Sequence, residues 1–83
     1  MIKILACEWK GNFLIFLEFS DGRCGYFDLK DYLSTHDGSL LNPLHSEKIA
    51  HRCFVAAGAL CWSHGLELSP ERLHDVYLIR EVA

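Results

Sequence analysis

Cys61 and His64 stand at Cys-x-x-His spacing in the stretch CWSHGLEL (61–68), with Trp62 between them and Glu67 three residues beyond the imidazole. A thiol, an imidazole and a carboxylate this close are the ingredients of a zinc corner, or of a thiol nucleophile with its base. A structural zinc site needs four ligands, usually as two close pairs. Cys61 and His64 make one pair, and the chain offers no second at ligand spacing. Whether Cys53 joins depends on the register of the segment between. With a two-residue loop Cys53 faces Trp62 and lies on the opposite face from Cys61; with a three-residue loop the two thiols share a face. His36, His45, His51 and His74 have no common spacing. Nucleophilic catalysis fares no better. Ser63 and His64 are adjacent and point apart in an extended chain, no G-x-S-x-G elbow is present, and Cys61 with His64 lacks an orienting third group. Glu67 and Glu71 read as solvated groups flanking a helix start. The residues therefore predict no catalytic, cofactor-binding or metal-ligating site, with a metal or thiol site on Cys61 and His64 as the alternative. Gly65 needs a turn conformation that side chains resist, and His64 is expected where positive φ is tolerated.

The elements that must position this corner are legible in the hydrophobic pattern. Residues 2–8 read as a first strand, Gly11 and Asn12 as a turn, and FLIFLEF (13–19) as a second strand with Phe13, Ile15, Leu17 and Phe19 on one face. Asp21 and Gly22 supply a hairpin turn at positive φ, and CGYFDL (24–29) returns as a third strand. LKDYL (29–33) suits a single helical turn. Ser46 can cap a short helix over 47–52 with Ile49 facing inward. Residues 53–62 carry no charge and centre on Ala57-Gly58, predicting a second hairpin with strands at 53–56 and 59–62. That hairpin reads as buried under the last element, or as an apolar edge open to strand addition. Ser69 as N-cap, Pro70 at the first position and Glu71 in the first turn open the last element. Leu73, Val76, Tyr77 and Arg80 follow at i, i+3, i+4 and i+7, the signature of an amphipathic helix. The expected fold is a single α+β domain over 1–83: a three-stranded antiparallel meander, short helices, a second β-hairpin and a C-terminal amphipathic helix.

Composition narrows the function classes. The chain has 83 residues, 51% hydrophobic and 23% charged, with net charge −3. Apolar burial for a chain of this size contributes about 120–130 kcal/mol. Ordering the chain costs about the same at ~1.5 kcal/mol per residue, so additional burial in a complex would matter. No basic stripe is offered to phosphates, which disfavours direct nucleic-acid binding. No two adjacent helices make a helix-turn-helix. The N-terminal apolar run is too short for a signal peptide, and none approaches a membrane span. A cytoplasmic location follows, with Cys7, Cys24, Cys53 and Cys61 free and mostly buried.

LIFLEF (14–19) with Ser20-Asp21-Gly22, then YFDL (26–29) with Asp28, NPL (42–44) with Pro43, and W-x-x-G-x-E-L (62–68) with Trp62, Gly65 and Glu67, followed by Ser69-Pro70-Glu71, stand in a characteristic order. In that order they resemble the bacterial family known as domain of unknown function 2442, over about residues 2–75. The resemblance implies a small α+β domain without recognised catalytic residues. It also implies an antitoxin-like pairing with a small protein encoded nearby; some relatives add a helix-turn-helix, which is not expected here. Two departures stand out: Ser63-His64 replaces the family's usual Pro-Asn, and the last helix is expected to run on past His74. Val76, Ile79, Arg80 and Val82 on that extension are the expected partner surface. The favoured function is a non-catalytic protein-binding domain whose partner is a small basic protein or a second copy. A homodimeric DNA-linked regulator is the alternative.

Overall fold

The computed structural model describes residues 1–74 and the strand at 78–82. β1 (Ile4–Gly11), β2 (Leu14–Phe19) and β3 (Cys24–Asp28) pair antiparallel in chain order. Strict alternation in β2 buries Ile15, Leu17 and Phe19 and leaves Leu14, Phe16 and Glu18 on the other face. Ile4 and Phe27 join the buried side. The β1–β2 turn is Asn12-Phe13, with φ of 53° and 62°. Strand twist demands this left-handed two-residue turn, and Asn accepts it readily, whereas a bulky Phe does not. Tertiary contacts hold it there. The Phe13 ring sits edge-on to Trp9 at 5.7 Å, and its carbonyl accepts the Leu29 amide at 2.9 Å. Between β2 and β3 the Gly22 amide donates to Phe19 O (3.1 Å) and the Phe19 amide to Arg23 O (2.8 Å), a turn closed by a left-handed glycine. Asp21 does not take the positive φ expected of it; its carboxylate accepts the Arg23 amide instead, at 3.1 Å.

The end of the chain corrects the expectation of one long helix. α3 is a single turn, Pro70–Arg72, and β7 (Leu78–Val82) is a strand paired antiparallel with β3, Cys24 opposite Val82 and Tyr26 opposite Arg80. The apolar spacing fitted a 3.6-residue period, but so short a window fits a strand as well. The run also contains β-branched Ile79 and Val82. What decides is the edge of β3, whose backbone groups β7 pairs in an antiparallel ladder. Val76 lies outside the described residues, and Ile79, Arg80 and Val82 belong to β7 rather than to a helix face.

A second sheet, ordered β4-β5-β6, is built from β4 (Phe54–Ala56), β5 (Ala59–Cys61) and β6 (Glu67–Leu68). Ala56 pairs with Ala59 across a two-residue turn, so Phe54, not Cys53, opposes Cys61. At Gly58 a Cβ would stand 2.9 Å from the Lys3 side chain, and the Gly58 carbonyl accepts the Ile4 amide at 2.8 Å, which ties the two sheets together. α1 (Leu29–Thr35) begins at Asp28, whose side chain accepts the Asp31 amide at 3.1 Å, and it buries Leu29, Tyr32 and Leu33. A 3-10 turn at Asn42–His45, opened by Pro43, buries Leu44. α2 is only Glu47–Ala50, and the Ser46 side chain makes no capping bond. Its Ala50 is fully buried while Ile49 is 36% exposed, the reverse of the expected orientation. The reason is Trp62, whose indole docks on the Ala50 carbonyl and brings that side of the turn against the core. The core thus lies between the first sheet and a layer of short helices plus the second sheet. Among the described residues no helix is long and apolar enough to cross a membrane.

Candidate functional site

Cys61 and His64 are turned to different partners. Cys61 is buried in β5, and its thiol is directed at the Ala59 and Ala56 carbonyls, 3.6 and 3.9 Å away. His64 is exposed and has a negative φ, unlike the expectation, and its Nε2–H donates to Leu40 O at 2.7 Å. Gly65 takes the strained position, at φ 104°, and its amide donates to Trp62 O (3.1 Å). Among the described residues no three His, Cys, Asp or Glu side chains are placed to hold a metal ion.

The cysteines meet elsewhere. Cys7 on β1 and Cys53 before β4 are near enough for each thiol to perturb the other's ionisation. Burial first, and the Cys7 thiol after it, push the Cys53 thiol up to about 12, and burial raises Cys7 as well. Cys61 is also raised, by burial first and then by the Glu67 charge. None of the four cysteines forms a disulfide; Cys61 is buried, but Cys7, Cys24 and Cys53 are half-buried, contrary to the mostly buried set expected. Raised thiols are poor nucleophiles and poor metal ligands at neutral pH.

The signature residues act as corners. Asp21 accepts from His74 Nε2 at 2.8 Å and is held below the usual carboxylate range, first by the Arg23 amide and also by His74. Asp28 caps α1, and Pro70 opens α3. The Ser69 hydroxyl makes no capping bond and instead donates to Glu71 at 3.2 Å. Exposed Glu67 lies in β6 and pairs with Cys61 of β5, adding the third strand of the second sheet. Trp62 is 2% exposed, and its Nε1–H donates to Ala50 O at 3.0 Å.

Two surface features follow from this frame. One is a groove of about 240 Å³ between α2 and the Trp62 corner, lined by Pro43, Ile49, Arg52, Trp62, Ser63 and His64. Pro43 and Trp62 were marked by the motif, but Ile49 and Arg52 were not, because their convergence is tertiary. The other is the outer face of the first sheet. Phe16 and Tyr26 are cross-strand partners there, packed edge to face at 5.3 Å, with Lys10 5.9 Å above the Phe16 ring and 3.2 Å from Glu8. Leu14, Glu18 and Asp28 complete that face on β2 and β3, and Arg80 lies in register beside Tyr26.

A two-layer α+β domain, with an open antiparallel sheet on one side and short helices and a small second sheet on the other, is the class that the fold defines. Within that class the chain belongs to the family described as protein of unknown function (DUF2442), whose model matches residues 8–75. Comparison with the curated proteins and with the solved structures finds no match.

Proposed function

We propose that the chain is a non-catalytic protein-binding domain working in the cytoplasm, and that its partner docks on the outer face of the first sheet. The observation that carries this reading is the aromatic pair on that face. Phe16 and Tyr26 are only partly buried, packed edge to face with the Lys10 ammonium over the Phe16 ring. An aromatic centre ringed by charged groups is the usual anatomy of an interface hot spot. Glu8, Glu18 and Asp28 outnumber Lys10 and Arg80 around the pair, and the whole chain carries net charge −3, so a basic partner is complementary. Non-catalytic action is supported by thiols held protonated and by an imidazole committed to a backbone carbonyl. The antitoxin-like pairing with a small protein encoded nearby is a specific form of this proposal. Co-expression with the product of the adjacent gene tests it: a complex should co-purify at low salt and weaken as salt rises. No complex at any salt concentration contradicts it.

A further inference from the structure

We propose that the groove between α2 and the Trp62–His64 corner binds a small carboxylate with a branched or aromatic apolar body. This site is separate from the sheet face and does not depend on the protein-binding reading.

Its walls are fixed before any ligand arrives. The Trp62 indole is pinned by the Ala50 carbonyl at 3.0 Å, and the Trp62 amide is bonded to Leu66 O at 3.0 Å. The His64 ring is pinned across the groove by Leu40 O at 2.7 Å. Such preorganisation removes much of the ordering cost of binding.

The groups that would recognise an anion are uncommitted. Among the described residues neither the Arg52 guanidinium nor the Ser63 hydroxyl has a hydrogen-bond or ion-pair partner, and both line the groove. The larger hollow beside Phe13, about 300 Å³, differs here. Its Lys30 ammonium already sits 5.6 Å over the Phe13 ring, and its Ser34 hydroxyl already donates to Asp31 O at 2.6 Å.

The rest of the groove is apolar and wet. Ile49 and Leu40 are 36% and 46% exposed, placed on the groove wall and at the carbonyl that holds His64. With Pro43, Ile49 gives the groove an apolar wall that a hydrocarbon group would cover, beside the buried Trp62. A planar guanidinium matches a carboxylate with two parallel hydrogen bonds, and Ser63 can add a third. Phosphate fits less well, because one guanidinium and one hydroxyl leave most of its oxygens unmet and the floor repels them. A space of about 240 Å³ suits an acid of roughly six to twelve non-hydrogen atoms, below the size of drug-like ligands.

Titration of the ¹⁵N-labelled protein with 4-methylpentanoate and with phenylacetate tests the proposal, using the matching amides and inorganic phosphate as controls. The acids should shift the Trp62 indole N–H and the Arg52 and Ser63 amides saturably. The amides should bind about tenfold or more weakly, as expected when a charge-assisted pair is lost. Arg52→Gln should weaken the acids about tenfold and Ser63→Ala severalfold, with melting temperatures unchanged. The proposal is overturned by amides or phosphate that bind as well as the acids, by an Arg52→Gln variant of unchanged affinity, by shifts centred elsewhere, or by no shifts at all.

Discussion

At the scale of single residues, Cys53 and Gly65 carry the sharpest expectations. The Cys53 thiol is pushed up to about 12 by burial and by its neighbour Cys7. In the unfolded chain a thiol ionises near 8.5. Above that pH the unfolded state sheds a proton that the folded state retains, so stability is full below it and declines as pH rises toward 12. Melting temperature should therefore fall between pH 8 and 10.5, and Cys53→Ala should flatten the slope. A variant as steep as the parent would contradict the assignment. For the same reason Cys53 should alkylate slowly at pH 7. Gly65 at φ 104° leaves no room for a β-branched residue's preferences, so Gly65→Val should cost about 2–3 kcal/mol in urea unfolding. His64→Ala removes one exposed hydrogen bond to Leu40 O and should cost about 1 kcal/mol or less. Gly65 was readable from the sequence as a strained turn, whereas the conformation of His64 was not. Its ring reaches across to a loop 24 residues away, and nothing local encodes that.

At the scale of elements, Asp28 joins two of them, ending β3 and capping α1. Asp28→Ala should cost about 1 kcal/mol by loss of that cap. β1, β2 and β3 were legible because short runs rich in Ile and Phe, such as LIFLEF, are bounded by the turn signals Gly11-Asn12 and Asp21-Gly22. β6 was not, being two residues long. The last element was misread because Leu73, Val76, Tyr77 and Arg80 satisfy a helical period, while the free edge of β3 that captures the segment is a tertiary feature. NOESY contacts between the α-protons and amides of Cys24–Phe27 and those of Leu78–Val82 check the strand. Sequential helical contacts over 78–82 would restore the helix. Ile49 was assigned to the core for lack of any signal that Trp62 would choose Ala50, and this reversal is what places an apolar side chain in the groove.

For the whole molecule, the division of labour is between two faces. One side of the first sheet is spent on the core, and the other presents Phe16 and Tyr26 among charged groups. The Cys-x-x-His spacing that suggests chemistry in the sequence is a structural corner: it turns the chain from β5 to β6 and seats Trp62 on α2. Its exposed residues face the groove rather than a metal. The alternation in β2 made the outer face visible in the sequence, but its openness depends on where the short helices pack. Affinity for the purified product of the adjacent gene measures the central claim most directly, with Phe16→Asp compared against Phe54→Asp on the exposed edge of the second sheet. Binding should be at least tenfold weaker for Phe16→Asp and change within about twofold for Phe54→Asp. Equal affinity for Phe16→Asp and the parent, or a loss confined to Phe54→Asp, would contradict it.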